Sequence, residues 1–171
     1  GTSLPSLHSQ PNTSRSYPHL MPTQLLDTRV NPRFAGICTF CRYPRVCDVA
    51  PANRPIDWVL YGAPFDGGTT YRPGARFGPR AIREASQYVK PYHLEHGFNL
   101  AERYSLADGG DAPTKPFDVK DNTLAMAEFA KGLGDPTSKL LAIGGDHSIA
   151  YANIKATWER QGSPKGGLSL I

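Results

Sequence analysis

Two glycines, an aspartate and a histidine interrupt an apolar run in LAIGGDHSIA, Leu141 to Ala150. A carboxylate next to an imidazole is equipped to hold a metal ion and to fix the orientation of the ring. Gly144 and Gly145 permit a tight turn and close backbone approach, and a helix starting near Ser148 favours anions in front of it. A second reading of the same residues makes Asp146 a helix cap and His147 a loop histidine with its hydrogen bonds satisfied, because one histidine does not define a metal site.

Two other groups carry metal-like spacing. Cys38 and Cys41 stand as C-x-x-C, with Cys47 close behind. A zinc site would need a second pair, so all three read as reduced, partly buried thiols. His93 and His96, in PYHLEHG, read as residues of a solvated loop.

The elements that must position these residues follow from patterning. IDWVLYGAPFD (Ile56 to Asp66) is an apolar strand ending at Gly62, followed by a Pro- and Gly-rich loop through Gly78. Pro79 suits a first helical turn, and Ala81, Ile82, Ala85 and Val89 recur at helical spacing. Tyr104 to Ala107 is a second strand, closed by DGGD at Asp108 to Asp111. Asn122 to Leu133 is a helix capped by Asp121 or Asn122, with Leu124, Ala127 and Phe129 facing inward. Lys139 to Ile143 is a third strand, Ser148 to Arg160 a further helix, and a fourth strand begins at Gly166. Strands alternating with helices of this length predict a mainly parallel α/β sheet with helices on both faces. In such sheets ligands gather where strands end and helices begin, which is where GGDHS falls.

Composition narrows the class. The chain has 171 residues, enough for one domain, and 39% of them are hydrophobic. Its net charge of +4 is dispersed. Arg72, Arg76, Arg80 and Arg83 form the densest basic group, separated by Gly, Pro and apolar residues, which disfavours nucleic acid as a partner. No run reaches the ~20 apolar residues that span a bilayer, and no signal-peptide pattern opens the chain. A reducing compartment, most simply the cytoplasm, is the expectation. Residues 1–28 read as a mobile extension rich in Ser, Pro and Thr. Residues 29–54 read as an ordered arm anchored by Phe34, Ile37, Phe40 and Tyr43, and residues 55–171 as the globular part. The alternating GLSLI at the end suggests a strand cut in mid-course, hence a fragment.

Taken with YGAPFDGGTTYRPGARFGPRAIREAS and SLADGGDAP, the GGDHS segment resembles the ureohydrolase family of arginases and agmatinases, over about Asn31 to Ile171. The loop from Gly62 to Arg80 is similar to the agmatinase branch. The resemblance implies a three-layer α/β/α fold truncated after about half its sheet, and a binuclear Mn²⁺ centre, Ni²⁺ in some members. It implies that His147 ligates one ion, with Asp146, Gly144, Gly145 and Ser148 supporting it, and that Asp108 and Asp111 serve the fold. The family's other ligands lie in Asp-x-His-x-Asp and Asp-x-Asp motifs that this sequence stops short of, so the 171 residues alone are expected to be inactive.

The implied reaction is hydrolysis of a guanidino compound to urea and an amine, with agmatine as the first substrate expected. Thr69, Thr70, Tyr71 and Arg72 would face the distal end of the substrate. Arg72 there would suit a carboxylate, as in 4-guanidinobutyrate, although packing of Arg72 beside Arg76 and Arg80 is the reading preferred. The long arm is similar to that of a subset hydrolysing free guanidine. Homotrimers or homohexamers are implied, and an inactive assembly fragment is the reading from another class. Neither glycine-rich loop has nucleotide-binding spacing.

Overall fold

The computed structural model describes residues 21–166. In chain order its regular elements are β1 (Trp58–Ala63), α1 (Gly78–Ser86), β2 (Tyr92–His93), β3 (Phe98–Asn99), α2 (Leu100–Arg103), β4 (Leu106–Asp111), α3 (Val119–Lys131), β5 (Lys139–Gly144) and α4 (Ile149–Arg160). β1 lies between β4 and β5, and all three are parallel. Trp58 pairs with Leu106 on one side and Lys139 on the other, and Ala63 reaches Gly144 at the carboxyl end. β2 and β3 form a separate short hairpin. The fourth strand expected from Gly166 lies outside the described residues. Among those residues, no helix is long and apolar enough to cross a membrane.

Alternation along β1 divides the layers. Val59, Tyr61 and Ala63 are buried in the core with Met126, Ala127 and Ala130 of α3 and Ala152 and Ala156 of α4. Burying each large apolar side chain of this set contributes roughly 1.5–3 kcal/mol before entropy is counted. Tyr61 also donates to Oδ1 of Asn153 at 3.0 Å. The opposite face meets α1, where a Cβ added to Gly62 would come within 2.9 Å of Pro79 Cβ. Helices therefore cover both faces of a parallel sheet, as the strand–helix alternation predicts.

Several boundaries differ from the sequence reading. The DGGD stretch is strand, not a closing turn: β4 runs to Asp111. α3 starts at Val119, capped by Asp118, whose Oδ1 accepts from Asp121 N at 2.7 Å. Its inward face uses Asn122 rather than Leu124, which is 46% exposed. Asn122 can be buried because its Oδ1 accepts the N–H of Lys115 at 2.8 Å.

α1 departs furthest. The apolar set Ala81, Ile82, Ala85 and Val89 faces outward, while Pro79, Arg83 and Ser86 are buried. Arg83 is drawn inward by two carboxylates. Nε and Nη2 donate to Asp108 at 2.9 and 3.0 Å, and Nη1 donates to Asp111 at 2.6 Å. Its guanidinium lies 4.1 Å from the ring centroid of Phe40 in the arm, where cation–π attraction adds to the ion pairs. Arg83 is thus a core residue, whereas Arg72, Arg76 and Arg80 are exposed.

The arm is held by the same carboxylate. Phe40 N donates to Asp108 Oδ2 at 2.8 Å, and Phe40 and Tyr43 are buried, whereas Phe34 and Ile37 are exposed. Part of the expected mobile extension, residues 1–20, lies outside the described residues. At Thr23 the chain is already docked: its hydroxyl donates to Tyr104 O at 2.6 Å and accepts from Leu106 N at 2.8 Å.

Candidate metal centre and substrate loop

β1 and β5 end side by side, and their outgoing loops are stitched together. Asp146 N donates to Phe65 O at 2.8 Å and Gly145 N to Ala75 O at 3.2 Å. Gly145 has φ +108, and a Cβ there would overlap the carbonyl of Ala63. A Cβ on Gly78, at the start of α1, would likewise overlap the carbonyl of Gly144. Glycine is required at both points because backbone passes directly against backbone.

The Asp146 carboxylate is spent on loop geometry. Oδ1 accepts from Ser148 N at 2.8 Å and from its hydroxyl at 2.5 Å, an Asx turn that leads into α4. Oδ2 accepts from Gly68 N at 2.7 Å, across to the loop after β1. The two readings of Asp146 therefore merge: it shapes the helix start and ties in the neighbouring loop. It does not orient the imidazole by a direct hydrogen bond, as adjacency in sequence had suggested. The His147 side chain is exposed at the carboxyl edge of the sheet.

The loop after β1 carries Thr69, Thr70, Tyr71 and Arg72. Thr69 is half-buried, its hydroxyl donating to Asp66 O at 2.9 Å, and the other three are exposed. Arg72 does not pack structurally as expected. Its guanidinium lies 5.0 Å from the Tyr71 ring and forms no ion pair among the described residues. Arg76 takes the structural part instead, bound to Asp66, whose side chain is fully enclosed. The Arg76 guanidinium and the Gly74 N–H hold the Asp66 carboxyl down at about 2. Spacing alone gave no warning of Asp66. The available signal was an aspartate directly after a strand, ten residues before an arginine, with a turn glycine between.

The other candidates lie elsewhere. His93 ends β2 and His96 lies in the turn that joins it to β3, both exposed, their rings stacked 4.5 Å apart. Cys38 and Cys47 are exposed and only Cys41 is half-buried, because the arm runs over the surface at both outer positions; all three are unpaired. Asp108 and Asp111 are engaged by Arg83, which fits a role in the fold. Two grooves of about 410 and 610 Å³ follow the arm, and neither is lined by His147 or by residues 67–74.

The donor chemistry at the β5 edge fits a metal in part. An exposed imidazole is a ligand ready for an ion. Among the described residues, no group of three or more His, Cys, Asp and Glu side chains could complete the shell.

β1 and β5 run parallel and end together, so the GGDHS turn and the loop joined to it by the Gly68–Asp146 bond form one site at the strand ends of a parallel α/β sheet. Residues 56–170 match the arginase family, and the chain belongs to it. It is 39% identical over 137 residues to proclavaminate amidinohydrolase of Streptomyces clavuligerus, covering 80% of this chain and 42% of that protein. Identity is 37% over 133 residues to guanidinopropionase of Pseudomonas aeruginosa, with coverage of 78% and 41%. It is 37% over 104 residues to agmatinase of Pyrococcus horikoshii, with coverage of 60% and 36%. The solved structure of the Streptomyces enzyme superposes with a TM-score of 0.65 at 38% identity, covering 76% of this chain and 42% of that one. A formiminoglutamase variant of Trypanosoma cruzi, solved with Mn²⁺, gives 0.54 at 25% identity, covering 68% and 40%. The chain thus spans about two fifths of the length of the relatives it matches.

Proposed function

We propose that the protein is a metal-dependent amidinohydrolase that cleaves a guanidino compound to urea and an amine, with agmatine the first substrate to test. The observation that carries this reading is His147, presented on a turn whose glycines, Asx turn and cross-loop bond to Gly68 hold it at the ends of β1 and β5. His147 would hold one ion of a manganese pair, in line with the Mn²⁺ of the Trypanosoma relative; nickel is the alternative drawn from the family resemblance. Bound there, the metal would supply an activated water for a poorly electrophilic guanidinium carbon and a countercharge for the tetrahedral stage. This chain's own residues orient: Asp146 fixes the turn under His147, and the Gly68–Asp146 bond sets the neighbouring loop against it. Thr69, Thr70, Tyr71 and Arg72 lie where the distal end of the substrate would be read.

A second reading is favoured by Arg72. An exposed guanidinium without a carboxylate partner among the described residues suits a guanidino acid such as 4-guanidinobutyrate better than the ammonium of agmatine. Free guanidine, the substrate suggested by the arm, needs no such contact. The unpaired cysteines support a reducing, cytoplasmic setting, and a homotrimer or homohexamer is the assembly we propose. The test is urea release from agmatine, 4-guanidinobutyrate and guanidine by the polypeptide carried past Ile171 in its natural sequence, loaded with Mn²⁺ or Ni²⁺. Urea from one of them names the branch. Urea from none, with metal bound, overturns the proposal.

A further inference from the structure

Asp66 is a fully enclosed carboxylate whose partners among the described residues all lie in its own loop. Its Oδ2 accepts from Gly74 N at 2.6 Å and from Arg76 N at 3.2 Å. Its Oδ1 accepts from Arg76 Nε at 2.5 Å and is paired with Nη2 as well. One carboxylate therefore binds donors eight and ten residues further along the chain, backbone and side chain together, and closes the loop into a ring. Gly74 has φ +133, the left-handed conformation the ring needs at its return. At the outgoing end, Thr69 N and its hydroxyl donate to the carbonyl of the same aspartate at 3.2 and 2.9 Å. From outside, the ring is held at Gly68, whose N–H donates to Asp146, and at Ala75, whose carbonyl accepts from Gly145 N.

A helix start needs no such device: α1 begins after this loop with Pro79 and carries its own buried anchor in Arg83. What the ring does is present Tyr71, 81% exposed, and Arg72 on a closed support beside the GGDHS turn. We infer that Asp66 and Arg76 are positioning residues of the specificity loop, fixing Thr69 to Arg72 against the distal end of the substrate. This rests on the reading of that loop as substrate-facing. A preformed loop avoids ordering entropy on binding, so loss of the clasp appears first in KM.

The test uses Arg76→Met, Arg76→Lys and Asp66→Asn in the polypeptide carried past Ile171, read by amide exchange over residues 67–74 and by KM and kcat for urea release. For Arg76→Met and Asp66→Asn we expect exchange at 67–74 to quicken about tenfold and KM to rise by a larger factor than kcat falls. Arg76→Lys keeps the charge but not the fork, and should recover part of both effects. Unchanged exchange at 67–74 would show that the pair does not hold the loop. Quickened exchange with unaltered KM would show that the loop does not meet substrate. Either result overturns the inference, and Arg76→Lys keeps the test valid should Asp66→Asn fail to fold. Absence of urea from the wild type as well would instead remove the reading beneath it, and is recognised because it precedes any substitution.

Discussion

Gly68 donates its N–H to Asp146 Oδ2 at 2.7 Å, joining two loops 78 residues apart in sequence. This bond ties the loop after β1 to the turn that carries His147. A hydrogen bond to a charged group contributes about 1.5–3 kcal/mol. Asp146→Ala removes this one and both from Ser148, so a stability loss of about 2–4 kcal/mol is expected in urea unfolding. Amide exchange at Gly68 should rise in the same variant. Asp146→Asn keeps one acceptor oxygen and should fall between.

Arg83 joins α1, β4 and the arm through Asp108, Asp111 and Phe40. Arg83→Met leaves the Asp108 carboxylate, 2% exposed, without its countercharge. Breaking one side of a buried pair costs about 3–5 kcal/mol. Thermal unfolding should therefore drop by more than for Ile82→Ala, which alters an exposed position despite its apolar type. Equal losses from the two substitutions would contradict the assignment of faces on α1.

Acid should release the Asp66 clasp. The carboxyl titrates at about 2 when paired with Arg76, against 3.8 for an ordinary aspartate. A depressed folded-state value means that the stabilisation is complete above about pH 4 and is lost as pH falls toward 2. Asp66→Asn should flatten the stability profile in that window and leave its shape above pH 5 unaltered. Unfolding midpoints measured from pH 2 to 7 check this.

Arg72 decides between the two substrate readings. If the distal group is a carboxylate, Arg72→Gln should raise KM for 4-guanidinobutyrate by about tenfold or more, the loss of one charge-assisted contact, and leave agmatine nearly unaffected. If agmatine is the substrate, removing a like charge should lower its KM or leave it unchanged. Initial rates of urea release with both compounds separate the cases.

The parallel sheet and the GGDHS turn were legible because both are written locally: short apolar strands, paired glycines and a helix pattern directly after. The face of α1 was not, since periodicity counts apolar residues and cannot see that Asp108, 25 residues on, draws Arg83 into the core. The same blindness placed Leu124 inward and Asn122 at a cap, where the N–H of Lys115 makes an asparagine the buried residue. At the site, the residue types of Asp146 and His147 were readable. The tether to Gly68 was not, because it depends on strands β1 and β5 ending side by side, and the enclosure of Asp66 was not, because it depends on the loop folding back to Gly74 and Arg76.

The most direct test concerns His147. In the polypeptide carried past Ile171, bound Mn²⁺ per chain and urea release should be measured for the wild type and for His147→Ala, with far-ultraviolet dichroism as a check on folding. The account expects the variant to keep its fold, lose bound Mn²⁺ and release less urea by about a hundredfold or more. A folded variant with undiminished metal and urea would contradict it.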